Sequence, residues 1–444
     1  MARVAVIGAG LAGSEASLVL ARSGVEVDCF EMRPATMTPA HRSGNPAELV
    51  CSNSFKAVDT ATAHGQLKRE LELLRSPLLE IARQCRVPAG SALAVNREQF
   101  SARVLAAVEQ ARGCRLVRQH CDSPAQGYDY GILAAGPLVS PALAQWLTRF
   151  LGADSLSFYD AIAPVIDADS LDTGICFRAA RHESGEGDYL NCPFTEEEFH
   201  HFYRSLVEAD CARERDFEDA RFFEACLPIE VVAARGYRAL TFGAMRPVGL
   251  IDPRSGRRPF AVCQLRRETL DGTAWGMVGF QTRLTVGAQQ RVLRMIPGMA
   301  TAEFVRYGSI HRNTYIDSPR HLSVDLSFRA DPALFCAGQL CGSEGYTESI
   351  ATGHVAALAL RAALGGARMV PPPVESAMGA LLRHVTASPV VPFAPGSCNF
   401  GLFPQLSDRE GTRRLGKKER HALLCDRASG SFARWVAMLP RPVS

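Results

Sequence analysis

Two of the 14 cysteines have sequence surroundings unlike those of an ordinary core residue. Cys51 lies within Ala47–Ser54 and Cys226 lies within Phe223–Glu230, and polar or helix-terminating residues flank both. A cysteine reacts as its thiolate, which a nearby arginine or a helix N-terminus favours. The cysteines form no Cys-x-x-Cys pair, so neither a zinc site nor a disulfide framework is indicated. Cys51 and Cys226 are therefore candidate catalytic thiols, although the spacing alone also fits buried structural cysteines.

A glycine-rich loop near the start of the chain has the pattern of a dinucleotide-binding site. It follows the apolar strand pattern Val4–Ile7 and consists of Gly8, Ala9, Gly10, Leu11, Ala12 and Gly13. A helical pattern from Ser14 to Ser23 comes next, and then a second strand pattern, Val25–Phe30. The three glycines would provide a tight turn, close approach of a pyrophosphate and close helix packing, respectively. The N-terminus of the following helix would bind the pyrophosphate. The alternative is that the glycine-rich loop is a tight turn that binds no ligand.

Glu31 stands at the end of that second strand, at the position where dinucleotide-binding folds place an acidic residue. Its carboxylate would accept hydrogen bonds from ribose hydroxyls and repel a 2′-phosphate, which favours FAD or NAD over NADP. A late strand pattern, Leu334–Gln339, contains Gly338 and precedes a predicted helix from Ser349 to Leu364. In flavoproteins such a unit returns to the first domain near the flavin, although Gln339 replaces the usual acid. The pattern favours FAD.

This arrangement predicts a cofactor domain built from both ends of the chain, residues 1–165 and 318–444, with residues 166–317 inserted as a mixed α/β domain. The insertion contains a predicted helix from Thr195 to Ala209, with Thr195 as N-cap and Glu198 completing a capping box. Two short apolar runs, Phe260–Leu265 and Ala274–Phe280, are predicted strands.

Composition describes a globular protein of 444 residues, with 47% hydrophobic and 21% charged residues. No apolar run is long enough to predict a membrane span. The first residues enter a strand pattern directly and show no signal-peptide pattern, so a cytoplasmic location is expected. The net charge of +3 permits an RNA partner but does not require one.

Several further segments are unusual for a generic dinucleotide-binding protein, and together with the loop they resemble the folate- and FAD-dependent tRNA (uracil-5-)-methyltransferases, the TrmFO family. The resemblance extends over nearly the whole chain. Its segments are Gly8–Gly13, Phe30–Pro34, Thr38–His41, Ala47–Ser54, Val95–Glu98, Tyr159–Pro164, Gly187–Pro193, Phe223–Glu230, Met245–Leu250, Gly279–Thr282, His311–Thr314, Glu344–Tyr346, Glu348–Ser349 and Asn399–Gly401.

The resemblance implies an α/β fold in which a Rossmann-like FAD-binding domain, of the type shared by TrmFO and the glucose-inhibited division protein, carries an inserted mixed α/β domain. It implies FAD as bound cofactor, methylenetetrahydrofolate as carbon donor and NAD(P)H as reductant. The implied substrate is the T-loop uridine of tRNA, which becomes 5-methyluridine. Cys51 and Cys226 match the two cysteines that the family uses in catalysis.

The implied chemistry has a role for two thiols. C5 of uracil becomes nucleophilic only after a thiolate adds at C6, and a base must later remove the C5 proton. We expect Cys226 to be the C6 nucleophile and Cys51 to serve in proton transfer or in protecting the activated carbon. The target base must leave its stack, which costs less in a loop than in a duplex.

The sequence departs from the family pattern in Cys341–Ser349, at His41–Arg42 and in Ala394–Cys398, and these departures leave the choice of RNA open. One alternative is the same chemistry on a uridine of ribosomal RNA. A second is an FAD-dependent oxidoreductase of a small molecule in which Cys51 and Cys226 are structural. A third is a catalytically silent flavin-containing RNA-binding protein.

Overall fold

The computed structural model describes residues 2–152, 156–181, 187–212, 227–269, 272–389, 393–406 and 416–440. The strands are β1 (Val4–Ile7), β2 (Val27–Phe30), β3 (Ser54–Ala57), β4 (Arg86–Val87), β5 (Ala92–Val95), β6 (Cys114–Val117), β7 (Tyr130–Leu133), β8 (Leu156–Ile162), β9 (Val165–Asp167), β10 (Phe177–Arg178), β11 (Tyr189–Phe194), β12 (Ala261–Arg267), β13 (Ala274–Met277), β14 (Phe304–Arg306), β15 (Ser309–Tyr315) and β16 (Leu334–Cys336). The α-helices are α1 (Leu11–Arg22), α2 (Ala63–Leu73), α3 (Pro77–Gln84), α4 (Arg97–Gln110), α5 (Pro141–Leu151), α6 (Glu196–Val207), α7 (Ile229–Ala234), α8 (Tyr237–Phe242), α9 (Val286–Leu293), α10 (Ser318–His321), α11 (Tyr346–Leu364), α12 (Ala377–Ala387) and α13 (Lys417–Met438).

A parallel sheet of five strands, in the order β16-β7-β1-β2-β6, forms the centre of the first unit. All four residues of β1 are buried, as a strand covered by helices on both faces requires. The outer position of β16 shows that a late segment of the chain returns to the sheet formed by its beginning. The Rossmann-like α/β fold predicted from the sequence is confirmed.

Helices α1 and α11 pack against each other beside this sheet. Gly353 of α11 makes the close approach possible, because a Cβ at that position would lie 2.3 Å from the carbonyl oxygen of Ala12 in α1. The strands β1, β7 and β16 all end at one edge of the sheet, where the loops after them meet. In open parallel sheets, ligands bind in the crevice outside this carboxyl edge.

A second sheet of six strands, in the order β10-β11-β12-β13-β9-β14, has its own hydrophobic core. All five of its strand pairings are antiparallel, and helices α6, α7 and α9 contribute to its core. Thr195 and Glu198 form the predicted capping box at the start of α6. The antiparallel ribbon of β8 and β15 joins the chain entering this unit to the chain leaving it.

Several element ends differ from the sequence predictions. Helix α1 begins at Leu11 rather than Ser14, and α11 begins at Tyr346 rather than Ser349. In both cases a glycine, Gly10 or Gly345, occupies the N-cap, so the helix starts as soon as the loop ends. Strand β13 ends at Met277 because Gly279 turns the backbone with φ of +74°. None of the described helices has the length and apolar character needed to cross a bilayer.

Candidate functional site

A groove opens at the carboxyl edge of the parallel sheet. Its lining includes seven of the residues that the sequence predicted for cofactor binding: Gly8, Gly10, Leu11, Ala12, Glu31, Gly338 and Gln339. The other two predicted residues, Ala9 and Gly13, lie beneath the groove and do not line it. Ala9 is fully buried and donates its backbone N–H to Glu31 at 3.2 Å. Part of the motif therefore lines the groove, and the rest lies outside its lining.

Each of the three glycines of the loop is favoured at its position for a different physical reason. Gly8 adopts a φ of +99°, and a Cβ there would lie 2.5 Å from the carbonyl oxygen of Ala134. A Cβ at Gly13 would lie 1.8 Å from the carbonyl oxygen of Gly8. A Cβ at Gly10 meets no protein atom within 4 Å, so this backbone faces open space in the groove. Gly10 is also the N-cap of α1 and offers no side chain to the helix N–H groups, which leaves them to an anionic ligand.

Glu31 is held by Arg33, a residue to which the sequence analysis gave no role. The Arg33 guanidinium donates to both carboxylate oxygens, from Nε at 2.9 Å and from Nη2 at 3.1 Å. Burial by itself raises the pKa of Glu31, but the Arg33 cation more than offsets this and lowers that pKa below its ordinary value. Glu31 is therefore ionised in the groove, and a ribose hydroxyl would share its oxygens with Arg33.

The late glycine segment lines the same groove. Gly338, with φ of +77°, follows β16, and its backbone N–H donates to the hydroxyl of Thr352 in α11 at 2.9 Å. Gln339 donates its side-chain amide to both oxygens of Glu344, at 3.2 and 3.1 Å. Gln339 therefore replaces the usual acid with an amide that is oriented by a neighbouring carboxylate.

Cys51 lies in a loop next to this groove, and Tyr346 fixes its backbone. The N–H groups of Cys51 and Ser52 both donate to the phenolic oxygen of Tyr346, at 3.0 Å each, and that hydroxyl donates to the Ser52 carbonyl at 2.9 Å. Val50 and Tyr346 line the groove. Burial raises the pKa of Tyr346 well above its ordinary value, so the hydroxyl keeps its proton and its role as a donor.

Two arginines, one in α4 and one in β14 of the second sheet, hold the same loop. Arg97 of α4 donates to the carbonyl of Leu49 at 3.2 Å, and it forms a bidentate ion pair with Glu268, at 2.7 and 3.0 Å. Arg306 of β14 donates from Nη1 to the carbonyl of Val50 at 2.9 Å. Burial disfavours the charge of Arg97, but Glu268 more than compensates and raises its pKa. The loop before Cys51 therefore lies between the groove and a set of buried cations.

Comparison with known proteins places the chain in a family. The family described as glucose inhibited division protein A matches residues 3–367. The methylenetetrahydrofolate--tRNA-(uracil-5-)-methyltransferase TrmFO of Oleidesulfovibrio alaskensis is 47% identical over 440 residues, covering 98% of this chain and 97% of that protein. The protein of the same name from Moorella thermoacetica is 49% identical over 439 residues, covering 97% of this chain and 99% of that protein. The chain belongs to the TrmFO family.

A solved structure shares the fold of this TrmFO-family chain. GidA of Aquifex aeolicus superposes with a TM-score of 0.69 at 16% identity, covering 98% of this chain and 76% of that one. This similarity bears on the architecture alone. The family resemblance inferred from the sequence motifs is confirmed by the comparisons.

The second candidate thiol of this TrmFO-family chain, Cys226, lies outside the described residues, so its predicted pairing with Cys51 stays a prediction. Among the thirteen cysteines that the structure describes, nine are buried, as expected for small hydrophobic residues. The described residues contain no cluster of His, Cys, Asp and Glu that could hold a metal ion.

The sequence analysis gave no role to Arg97, Arg306 or Tyr346, which the structure places around the Cys51 loop. Two of them, Arg97 and Tyr346, lie within segments of the family resemblance. A generic dinucleotide-binding fold does not require those segments. Their presence was the sequence signal that could have identified Arg97 and Tyr346 as site residues.

Proposed function

We propose that this chain transfers a one-carbon unit from methylenetetrahydrofolate to C5 of a uridine in the T loop of tRNA and reduces it to a methyl group. The bound cofactor is FAD and NAD(P)H is the reductant. The observation that carries this proposal is the position of the Cys51 loop, held by Tyr346 at the edge of the dinucleotide groove, by Arg97 of α4 and by Arg306 of the second sheet. The names of the relatives describe the same reaction.

The groove fits FAD. The bare backbone of Gly10 and the N-terminus of α1 would bind the pyrophosphate, and Glu31 would bind a ribose. Gly338 and Gln339 would lie near the flavin ring. When bound, the flavin supplies the redox chemistry of the reaction.

The protein supplies the thiols and their placement. A thiolate adds to C6 of the uracil and makes C5 nucleophilic, and a second group removes the C5 proton. Cys226 is proposed as the C6 nucleophile and Cys51 as the proton-transfer group. The three hydrogen bonds between Tyr346 and the Cys51–Ser52 backbone fix the Cys51 Cα relative to the groove.

The domain organisation follows the same proposal. Residues 1–165 and 318–444 form the FAD-binding domain, and residues 166–317 form the inserted domain. The separate hydrophobic core around the six-stranded sheet supports this division. We place the protein in the cytoplasm, where tRNA is available.

A groove on the inserted unit supports an RNA substrate. Three exposed arginines without an ion-pair partner among the described residues, Arg238, Arg246 and Arg258, line it together with Phe242, which is 78% exposed. We call this surface the arginine groove. Of its three acidic residues, Asp252 is paired with Arg254, Glu198 is used in the capping box of α6, and Glu196 is exposed. Exposed cations beside an exposed aromatic ring are suited to phosphates and unstacked bases.

The experiment is methyl transfer by the FAD-loaded protein to an unmodified tRNA transcript with methylenetetrahydrofolate and NADH, with and without S-adenosylmethionine. We expect folate-dependent 5-methyluridine in the T loop, lost in Cys51→Ala and in Cys226→Ala. The control is Cys211→Ala, which removes a half-buried thiol of the inserted unit that does not line the dinucleotide groove. Formation of 5-methyluridine in ribosomal RNA but not in tRNA would indicate that ribosomal RNA is the substrate. NADH oxidation without folate or RNA dependence would instead support a small-molecule oxidoreductase.

A further inference from the structure

Among the described residues, the largely buried charges beside Cys51 do not balance. Three guanidinium groups, those of Arg97, Arg266 and Arg306, lie around one described carboxylate, that of Glu268. Glu268 is committed to Arg97 through two hydrogen bonds, and Arg266 donates from Nε to the side-chain oxygen of Asn53 at 2.8 Å. We call these four charged residues the guanidinium cluster. Its surplus positive charge is costly in a buried site unless an anion or a strong acceptor meets it.

Arg306 is the member of the cluster whose donors are not satisfied. Its Nη1 binds the carbonyl oxygen of Val50, but Nε and Nη2 are buried and have no hydrogen-bond partner among the described residues. Burial, and next the charge of Arg97, lowers the pKa of Arg306 to about 10, which still leaves the group charged at neutral pH. A buried charged donor without an acceptor costs more than a neutral one, so a functional explanation is required.

The unused donors are well suited to one kind of ligand. Nε and Nη2 form one edge of the planar guanidinium, which can donate two parallel hydrogen bonds to oxygen acceptors. The bond to Val50 places this group at the peptide that directly precedes Cys51. These two donors are therefore free to bind an acceptor brought close to the Cys51 loop.

We propose that Arg306 binds a carbonyl oxygen of the target uracil and stabilises the enolate that forms there when a thiolate adds at C6. This inference rests on the proposed function. In the step, the sulfur lone pair forms the S–C6 bond, the C5=C6 π pair moves to C5–C4, and the C4 carbonyl oxygen gains the negative charge. Arg306 keeps its proton throughout and donates hydrogen bonds to that oxygen. When C5 forms its bond to the folate-derived carbon, the charge leaves the oxygen again, and nothing is oxidised or reduced at Arg306.

This role differs from holding a permanent anion. An RNA phosphate or a folate carboxylate carries its charge before the reaction, so loss of Arg306 would weaken binding of that ligand. The uracil gains its charge only during thiolate addition, so loss of Arg306 would slow that step. Interactions that strengthen only as charge develops lower the barrier rather than the dissociation constant.

The test compares wild type, Arg306→Lys and Arg306→Gln as FAD-loaded full-length proteins. Arg306→Lys keeps one positive charge and can reach the Val50 carbonyl, but it lacks the two-donor edge. The matched control is Arg257→Gln, which removes an exposed arginine of the same unit. Covalent capture of a T-arm RNA carrying 5-fluorouridine at the target position measures thiolate addition in a single turnover. Flavin content, flavin reduction by NADH, RNA Kd and folate KM are measured in parallel.

We expect both Arg306 variants to slow adduct formation roughly 100-fold, the range known for loss of an oxyanion-stabilising donor. RNA Kd, folate KM and flavin reduction should stay within about threefold of wild type, and Arg257→Gln should match wild type in adduct rate. Unchanged adduct rates with a raised RNA Kd or a raised folate KM would overturn the enolate role. If Arg306→Lys forms the adduct at the wild-type rate and only Arg306→Gln is slow, the role of Arg306 would be limited to its structural contact with Val50. A wild type that forms no product on any RNA would overturn the proposed function instead, and this inference with it.

Discussion

The phenolic oxygen of Tyr346 lies 3.0 Å from the backbone nitrogen of Cys51, although 295 positions separate the two residues. Tyr346 is the first residue of α11, and its ring also lines the dinucleotide groove. One side chain therefore connects the helix that returns from the end of the chain, the groove and the loop of the candidate catalytic thiol.

Replacing Tyr346 with Phe removes the shared acceptor and leaves the N–H groups of Cys51 and Ser52 without their partner. We expect the free energy of unfolding to fall by about 2 kcal/mol, since buried unsatisfied donors cost roughly 1–3 kcal/mol. We expect kcat for methyl transfer to fall about 10- to 100-fold because the thiol is misplaced, with flavin reduction by NADH unchanged. Urea unfolding measures the loss of stability, the methyl-transfer assay measures kcat, and stopped-flow absorbance measures flavin reduction.

The control for Tyr346→Phe is Tyr203→Phe, which removes a hydroxyl that donates to the Ala233 carbonyl in the inserted unit. It should lose stability without a selective loss of methyl transfer. Equal effects of the two substitutions on kcat would show that Tyr346 does not position Cys51.

Gly10→Ala and Gly13→Ala should behave differently, although both change one glycine of the same loop to alanine. The alanine Cβ at position 10 meets no protein atom within 4 Å, whereas at position 13 it would lie 1.8 Å from the Gly8 carbonyl oxygen. We expect Gly10→Ala to fold with a wild-type thermal midpoint but to purify largely without flavin. Gly13→Ala should lose thermal stability itself. Absorbance near 450 nm and thermal unfolding of flavin-free protein measure the two effects, and a fully yellow Gly10→Ala protein would contradict the placement of the pyrophosphate.

Phe242 and Arg246 in the arginine groove should contribute to RNA binding and not to the chemistry at the flavin. We expect Phe242→Ala to weaken tRNA binding by about 1–3 kcal/mol through loss of base stacking. Arg246→Gln should reduce the salt dependence of log Kd by about one unit of slope if it meets one phosphate. Filter binding across a salt series gives both values. Thr301→Ala, a substitution in the same unit but outside the groove, should leave them unchanged, and identical Kd values for all variants would exclude this surface from RNA binding.

Glu348 should make the stability of the first unit fall at acid pH. It is buried in the first turn of α11 beside His64 and Lys56, at 3.3 and 3.9 Å. Burial opposes its charge, but Lys56 and His64 more than offset this and lower the pKa of Glu348 from 4.5 to about 2. Because the folded-state pKa is depressed, the stabilisation is fully present above pH 4.5 and is lost as the pH falls toward 2.

The size of that effect follows from the shift, which corresponds to roughly 3 kcal/mol. We expect Glu348→Gln to lower the free energy of unfolding at pH 7 and to flatten its dependence on pH below 4.5. Chemical denaturation from pH 3 to 7 tests this. Glu98→Gln, which alters an exposed carboxylate, serves as the control. A pH dependence equal to that of wild type in Glu348→Gln would show that other groups cause the acid sensitivity.

Much of the first unit was determined by local sequence. Val4–Ile7 is continuously apolar because its strand is buried on both faces, and Gly8, Gly10 and Gly13 occur where the backbone turns, faces the groove and meets a neighbouring chain segment. Such requirements act over a few residues, so they leave a readable pattern. The same holds for Thr195 and Glu198, whose reciprocal hydrogen bonds span a single helical turn.

The surroundings of Cys51 were decided only by the tertiary structure. Tyr346, Arg97 and Arg306 reach its loop from α11, α4 and β14, which are far apart in the sequence. No periodicity or short spacing encodes such contacts, because they depend on how distant elements of the chain pack against each other. The sequence could mark Cys51 as a candidate and connect it to a family, but the unsatisfied donors of Arg306 arise from burial, which is a property of the folded chain.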